Sequence, residues 1–304
     1  MGSDHITVCV CTCLRPELLN RLLTQLAHQK TDGLFTMSCV VVDNDPGESA
    51  RTVVHNVAGR SSLSLRYVAE PAKNFALIRN RALELVDGNL FAVIDDDEVP
   101  GEDWLLQLRL TLYDCSADGV LGPVRPYFEE EPPSWIVKSG ICRRPEHSTG
   151  AVLHWRETRT GNVLMWTSLV RENGIRFDPQ FGTGGEDVDF FRRASAAGKR
   201  FVWCSEAPAF ELVPPTRLRR RYYIKRALLQ GGISLKYAVA RSSVMGRLCV
   251  AGKASCAAVL YTLALPILFM AGDHVGMKYL IKDCHHIARL LAIVGIARSS
   301  GRGF

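Results

Sequence analysis

Two hydrophobic rhythms alternate along the first hundred residues. Residues 6–13, Ile-Thr-Val-Cys-Val-Cys-Thr-Cys, form a nearly unbroken apolar run that predicts a buried strand. Leu14-Arg15-Pro16-Glu17 turns into a helix, where Leu18, Leu19, Leu22, Leu23 and Leu26 keep a helical period. Pro16 suits its first turn and Glu17 its positive end. Ser38–Val42 with Asp43 predicts a second strand, closed by the turn cluster Asn44-Asp45-Pro46-Gly47 and followed by a helix near Ser49–Ala58. Leu65–Ala69 predicts a third strand. Asn74 caps a helix from Phe75 to Val86, which Asp87-Gly88 stops. Leu90–Ile94 predicts a fourth strand, and it runs straight into Asp95-Asp96-Asp97-Glu98.

That junction organises the reading. Along an extended chain, Asp95 and Asp97 face one side and Asp96 the other. Carboxylates so close repel one another unless a cation sits among them. Two same-side carboxylates at the end of a buried strand suit a hard divalent cation that also holds phosphate oxygens. The plainer alternative is an acidic turn that caps the next helix. Repeated strand–helix alternation with apolar strands predicts an α/β fold, a mostly parallel sheet with helices on both faces. Ligands of such sheets bind beyond the carboxyl ends of the strands. Thr12–Arg15, Asp43–Asp45 and Asp95–Asp97 therefore gather along one cleft.

Past residue 100 the pattern loosens. Trp104–Leu112 predicts a helix and Gly119–Val124 a strand. Residues 126–150, rich in Pro, Glu and Arg, read as a mobile loop. Val152–Glu157 and Asn162–Leu169 read as a hairpin around Thr160-Gly161. The glycine-rich stretch before Gly185 leads into an acidic, aromatic helix that ends at Gly198. Glu186, Asp187 and Asp189 stand at its start, where the helix dipole alone would favour them. Lys199–Cys204 makes a last strand and Pro208–Pro215 a connector.

The totals add limits. A chain of 304 residues holds one large α/β domain with an appendage, or two modest domains. The net charge of +6 is concentrated late, at Arg217, Arg219, Arg220, Arg221, Lys225 and Arg226. Such a patch fits nucleic acid, an anionic membrane or a phosphorylated substrate. No nucleic-acid-binding motif accompanies it, so no nucleic acid partner is expected. Ten scattered cysteines without a C-x-x-C pair read as reduced thiols in a cytosolic setting. No basic segment followed by an apolar one opens the chain, so no signal peptide is expected. Ala254–Gly272 is uncharged, apolar and about long enough to span a bilayer, with Pro266 inside it. Ile287–Ala297 is a shorter apolar stretch carrying Arg289. Arg247, Lys253, Lys278, Lys282, Arg289 and Arg298 surround the two with the charge favoured at a cytoplasmic membrane face. The tail reads as a membrane-associating helical region, interfacial or spanning, or as a helical subdomain packed on the core.

The first strand with Thr12 and Arg15, the strand ending in Asp43, Ala76-Leu77-Ile78-Arg79-Asn80, the Asp95–Asp97 cluster and Gly185-Glu186-Asp187 follow one another in an order that closely resembles the family 2 glycosyltransferases. Among these the chain looks most like bacterial exopolysaccharide enzymes of the succinoglycan-biosynthesis type. The resemblance covers roughly residues 5–215. It implies a GT-A fold, a Rossmann-like and mostly parallel sheet. It also implies transfer, with inversion, of a sugar from a nucleoside diphosphate sugar to a hydroxyl. Thr12 and Arg15 match its first nucleotide-binding loop, Asp43 the carboxylate that contacts the base, and Arg79 a basic residue near the nucleotide. Asp95 and Asp97 match its D-x-D motif, Asp95 on the ribose side and Asp97 on the metal. Asp96 is grouped with the nucleotide-binding positions, although strand alternation turns it away towards a structural role. Asp187 matches the general base, with Glu186 and Asp189 as substitutes.

The resemblance further implies Mg²⁺ or Mn²⁺ as cofactor, a UDP-sugar as leading donor, and a saccharide acceptor in bacterial surface or exopolysaccharide synthesis; the basic stripe and apolar tail point to an acceptor that is polyprenyl-diphosphate-linked. The resemblance divides the chain into a catalytic domain of residues 1–215 and a helical region of residues 216–304. The positive charges around the apolar tail, taken with the bacterial family, lead to the expectation of a protein at the cytoplasmic face of the bacterial inner membrane, on an anionic surface. The Q-x-x-R-W motif of processive members is missing. Leu218-Arg219-Arg220-Arg221-Tyr222-Tyr223 stands in its place, so single additions are expected. Two other readings compete. A sugar nucleotidyltransferase would need a glycine-rich phosphate loop after the first strand, which Thr12-Cys13-Leu14-Arg15-Pro16 is not. A silent carbohydrate-binding scaffold would not need Asp95, Asp97 and Asp187 together.

Overall fold

The computed structural model describes residues 3–239 and 244–293. In chain order its first half runs β1 (Asp4–Thr12), α1 (Pro16–Leu26), β2 (Phe35–Asp43), α2 (Arg51–Arg60), β3 (Ser64–Ala69), α3 (Phe75–Glu84), β4 (Leu90–Asp95) and β5 (Glu98–Pro100). There follow α4 (Trp104–Asp114), β6 (Gly119–Leu121), β7 (Val124–Tyr127), α5 (Ser134–Ser139), β8 (Val163–Trp166), α6 (Ser168–Arg171), α7 (Glu186–Ala196), β9 (Phe201–Trp203) and β10 (Ala209–Leu212). Three long helices close the described chain, α8 (Arg220–Val239), α9 (Val244–Met270) and α10 (Asp273–Ile293). These elements form two compact units, one reaching Tyr127 and resuming over Arg144–Leu212, the other made of Phe128–Arg143 and the chain from Val213 on.

The first unit is built on a seven-stranded sheet of order β3-β2-β1-β4-β8-β6-β9. β1 pairs in parallel with β2 and β4, and β2 with β3. β8 runs antiparallel between β4 and β6. Alternate residues of each strand feed two cores. Ile6, Val8 and Val10 pack with Leu19, Leu22, Val54, Trp104 and Leu108, from α1, α2 and α4. Cys9, Val40, Phe91 and Met165 pack on the other face with Ile78, Phe190 and Phe191, from α3 and α7. Because both faces are covered, the strands are apolar on both sides, and this is why they read as continuous runs rather than alternating ones. A three-stranded sheet, β5-β10-β7, adjoins the end of β4.

Three expectations are corrected. Val152–Glu157 and Asn162–Leu169 do not form a hairpin. β8 pairs with β4 and β6, and Val152 makes only a single bridge to Val202. Residues 154–158 instead turn on themselves through Glu157 N–H to His154 O and Thr158 Oγ1 to Trp155 O. Residues 126–150 are not merely a mobile loop. They contain the end of β7 and all of α5, whose Trp135 and Ile136 are buried with Tyr223 and Met277 in the second unit. Pro208–Pro215 is more than a connector, because β10 pairs with β5 and β7.

In the second unit α8 and α10 approach closely at Gly231, where a Cβ would stand 2.4 Å from the His285 carbonyl oxygen. α9 continues through Pro266. Its Leu248–Met270 segment, 23 residues of mean hydropathy 1.7, is long and apolar enough to cross a membrane. Ala254 and Ala258 are its buried residues among those described, while Leu260, Leu263, Ile267 and Met270 stand exposed. Arg298 lies outside the described residues.

Candidate active site

The carboxyl ends of β1 and β4 lie side by side, with Cys11 opposite Asp95. β4 ends at Asp95, and Asp96 and Asp97 occupy a tight turn before β5. Strand alternation therefore does not extend past Asp95, and the expectation that Asp96 faces away from Asp97 fails. Arg15 Nη1 donates to both, at 3.0 Å to Asp96 Oδ1 and 3.2 Å to Asp97 Oδ2. Thr12 Oγ1 donates to Asp96 Oδ2 at 2.8 Å. The loop after β1 thus binds the acidic turn from one side.

Arg79 binds it from another. Asn74 caps α3 by accepting from the Ala76 and Leu77 amides, and this fixes where the helix starts. One turn on, Arg79 Nε reaches Glu186 Oε1 at 3.3 Å and its Nη2 lies 3.6 Å from Asp95 Oδ1. Burial opposes the Arg79 charge, but Asp95 and Glu186 outweigh it and hold the guanidinium protonated. The loop leading to α7 is pressed onto the α3 cap. A Cβ on Gly182 would lie 2.1 Å from the Asn74 side chain, and Phe75 N–H donates to Gly182 O. Gly184 and Gly185 take positive φ at the entry to α7, which glycine permits without steric cost.

At the α7 start three carboxylates have three environments. Glu186 is buried and engaged by Arg79. Asp189 is buried between Arg192 at 2.6 Å and Arg193 at 2.7 Å. Asp187 is half-buried and, among the described residues, accepts only the Val188 amide at 2.8 Å. Asp43, at the end of β2, is fully buried. It accepts from the Asp45 and Ala50 amides and from the Tyr67 hydroxyl, thereby fixing the turn after its strand.

Sequence reasoning missed a second layer. Glu98 is buried under the turn. Its Oε2 accepts the Asp95 amide at 3.4 Å, and its Oε1 has no hydrogen-bond partner. Gly161 packs against it so closely that a Cβ would lie 2.6 Å from Glu98 Oε1 and 3.3 Å from Asp95 Oδ2. Glu211, on β10, stands opposite Glu98 in the small sheet and is bound by Arg144 at 2.6 Å. Arg159 lies within electrostatic reach of Glu98, Glu211 and Asp95. Only Glu98 and Gly161 left a trace in the sequence, one extending the acidic run and the other in a turn pair. Arg144, Arg159 and Glu211 arrive through tertiary pairing, which no local pattern announces.

The cluster is electrostatically loaded. Burial, then the charges of Asp95, Asp96 and Glu211, push the Asp97 carboxyl up to about 6 against the pull of Arg15. Burial raises Asp96 too, with Arg15 and Thr12 opposing. Burial, then Asp95, holds Glu98 well above the usual carboxylate range. This surplus of negative charge at the carboxyl end of a parallel sheet suits a polyanionic ligand that arrives with a cation.

Known proteins agree with this architecture. The glycosyl transferase family 2 model matches residues 7–173. The succinoglycan biosynthesis protein ExoM of Rhizobium meliloti (strain 1021) is 35% identical over 231 residues, spanning 75% of this chain and 73% of its own. The hyaluronan synthase of Pasteurella multocida is 24% identical over 245 residues, 69% of this chain but 25% of that longer protein. Among solved structures, the mannosyltransferase PcManGT from Pyrobaculum calidifontis, in complex with GDP-Man and Mn²⁺, superposes with a TM-score of 0.60 at 19% identity, covering 95% of this chain and 88% of that one. S. aureus TarS 1–349, in complex with UDP, does so with a TM-score of 0.54 at 15% identity over 96% and 92%. The family model matched over more than half of the chain, the 35% identity to ExoM across 75% of this chain and 73% of that one, and the shared fold make this chain a glycosyltransferase of family 2 with a GT-A fold.

Proposed function

We propose that the protein transfers a sugar, with inversion, from a nucleoside diphosphate sugar to a saccharide hydroxyl, using a divalent cation. The observation that carries this reading is the arrangement of Asp95, Asp96 and Asp97 between Arg15 and Arg79, with Asp187 at the neighbouring helix start within the field of Arg79 but not hydrogen-bonded to it.

Thr12, Arg15 and Arg79 supply the donors for the nucleotide side, and Asp43 shapes the loop beside them. The residues present fit a divalent cation. Asp97 is buried among like charges that a cation would neutralise, and Glu98 Oε1 lacks a partner. Among the described residues no three His, Cys, Asp or Glu side chains form a cation site by themselves. A cation held by Asp97 and Asp95 would complete its shell with donor phosphate oxygens, as Mg²⁺ commonly does. When bound, it supplies Lewis-acid stabilisation of the departing diphosphate.

Asp187 takes the proton of the attacking acceptor hydroxyl. Glu186 and Asp189 are each already engaged by arginine, which favours Asp187 for this role. General-base help of this kind contributes about 10²–10⁴ in rate. Attack opposite the leaving group inverts the anomeric centre without a covalent intermediate.

The donor is read as a UDP-sugar from the resemblance to exopolysaccharide enzymes, and S. aureus TarS, which shares the fold, is solved in complex with UDP. The acceptor is read as lipid-linked, because the second unit exposes the apolar face of α9 together with Arg219, Arg221, Lys225 and Arg226. Such a helix with basic neighbours suits the anionic cytoplasmic surface of a bacterial inner membrane. The decisive experiment combines hydrolysis of each candidate nucleotide sugar in Mn²⁺ or Mg²⁺ with calorimetric titration of UDP. Metal-dependent UDP binding and turnover of one donor are expected. Neither metal-dependent nucleotide binding nor turnover of any donor would sink the reading. Full activity on a water-soluble acceptor, with the protein wholly soluble at low salt, would remove the membrane part alone.

A further inference from the structure

Arg159 sits in the loop between Thr158 and β8, two residues before Gly161. Its Nε and Nη2 are both closed off from solvent, and neither has a hydrogen-bond partner. These two nitrogens form the lateral edge of the guanidinium, the edge that grips a pair of oxygens in parallel. The same chain shows that edge in use. Arg125 donates through Nε and Nη2 to the two oxygens of Glu146, at 3.0 and 2.9 Å. Arg159 has the fork without the oxygens.

The carboxylates around it are already committed to other groups. Glu211 is bound by Arg144, Asp95 lies beside Arg79, and Glu98 is directed to the Asp95 amide. Burial, then the like charge of Arg144, act against the Arg159 charge and bring it down to about 10, with Glu98, Glu211 and Asp95 pulling the other way. Dry, unpartnered donors on a charged group are costly, and folded proteins retain them where something else completes the bonding. A second donor nearby is in the same condition, since Arg79 Nη1 is buried and unpartnered. Gly161 brings the Arg159 loop to within van der Waals reach of Asp95, so the loop borders the acidic turn directly.

We propose that Arg159 is a substrate-binding residue whose Nε–Nη2 edge receives two anionic oxygens of the substrate, with Arg79 Nη1 as a neighbouring donor. This rests on the glycosyl-transfer reading above and names a contact that reading does not include. Two sources carry such oxygens, the diphosphate of the donor and a carboxylate or phosphate on the acceptor.

The test uses the full-length protein and its Arg159→Ala and Arg159→Lys variants, with UDP and Mn²⁺ as the calorimetric probe. If the oxygens belong to the donor, Arg159→Ala weakens UDP binding by on the order of tenfold to a hundredfold. Arg159→Lys recovers little of it, because an ammonium lacks the fork. Free guanidinium ion added to Arg159→Ala restores part of the lost transfer, which a packing defect would not allow. If UDP binding is unchanged but transfer to acidic acceptors alone falls, with the same rescue, the oxygens belong to the acceptor and the proposal stands. Unchanged UDP binding and unchanged transfer in both variants would overturn it, as would a loss that tracks a lowered melting temperature and resists guanidinium. A wild-type protein that binds no UDP, GDP or dTDP with metal would bring down the functional reading itself, and this inference with it.

Discussion

Arg79 joins Asp95 to Glu186, so one guanidinium ties the carboxyl end of β4 to the start of α7, 107 residues apart for the Glu186 pair. The join sets the register between the acidic turn and the helix that carries Asp187. Removing it separates binding from chemistry in a definable way. Arg79→Met is expected to weaken UDP–Mn²⁺ binding and lower turnover together, since it also leaves Glu186 buried without its cation, a change that commonly costs about 3–5 kcal/mol. Calorimetry alongside a melting curve checks both.

Asp187→Asn keeps the shape of the α7 start but cannot take a proton. Turnover should fall by about 10²–10⁴ while UDP binding stays close to wild type. Asp189→Asn, by contrast, loosens two arginines and should act on stability. Wild-type turnover in Asp187→Asn would remove it as the base.

The loaded acidic turn makes stability depend on pH in a stated direction. Asp97 titrates near 6 in the fold against 3.8 for an ordinary aspartate. Between those values the folded state holds the extra proton, so stability falls as pH rises, and the penalty is complete above about pH 6. UDP with Mn²⁺ should therefore raise the melting temperature more at about pH 7.5 than at about pH 5, where Asp97 is protonated and a poor ligand. Equal shifts at both pH values would place the cation elsewhere.

Gly161→Ala puts a Cβ 2.6 Å from Glu98 Oε1, and Glu98 is too deeply buried to move aside freely. A loss of about 1–3 kcal/mol in stability is expected, with weaker UDP binding, by denaturant melts and calorimetry. Asn74→Ala should cost about 1 kcal/mol as a lost helix cap. It should also lower turnover, because Gly182 packs on that side chain at the entry to α7.

Leu263 and Ile267, about seven-tenths exposed on α9, are expected to drive binding to anionic vesicles. Replacing both with Gln should reduce vesicle co-sedimentation without lowering the melting temperature. Unchanged sedimentation would show that α9 does not contact lipid.

The strands near the N-terminus and their parallel sheet were legible because β1, β2 and β4 are covered on both faces and therefore read as apolar runs; their order was not. The Asn74 cap and the acidic turn were legible because each is a local signal. The direction of Asp96 was not. Alternation holds only while the chain stays extended, and here it ends at Asp95. β8 was misassigned for a related reason. Its four residues look like one arm of a hairpin, but their partners are β4 and β6, more than forty residues before it. Arg159, Arg144 and Glu211 join the site through the small sheet and the loop before β8, and their sequence neighbourhoods resemble ordinary surface.

That loop depends on Asn162, a buried residue at positive φ. Its side chain accepts from Trp104 Nε1 at 2.6 Å and donates to the carbonyls of Pro123 and Ala207, at 2.9 and 2.8 Å. The three partners lie 58, 39 and 45 residues away. The side chain therefore ties the loop to three separate segments through bonds that are all buried. Asn162→Ala is accordingly expected to leave buried groups unpaired and to speed native-state hydrogen exchange in the Arg159–Asn162 segment more than in β1, β2 and β4. The loop beside the acidic turn is thus held from outside its own sequence, and a chain ended at residue 173, where the family match stops, would lack the Ala207 acceptor that anchors it.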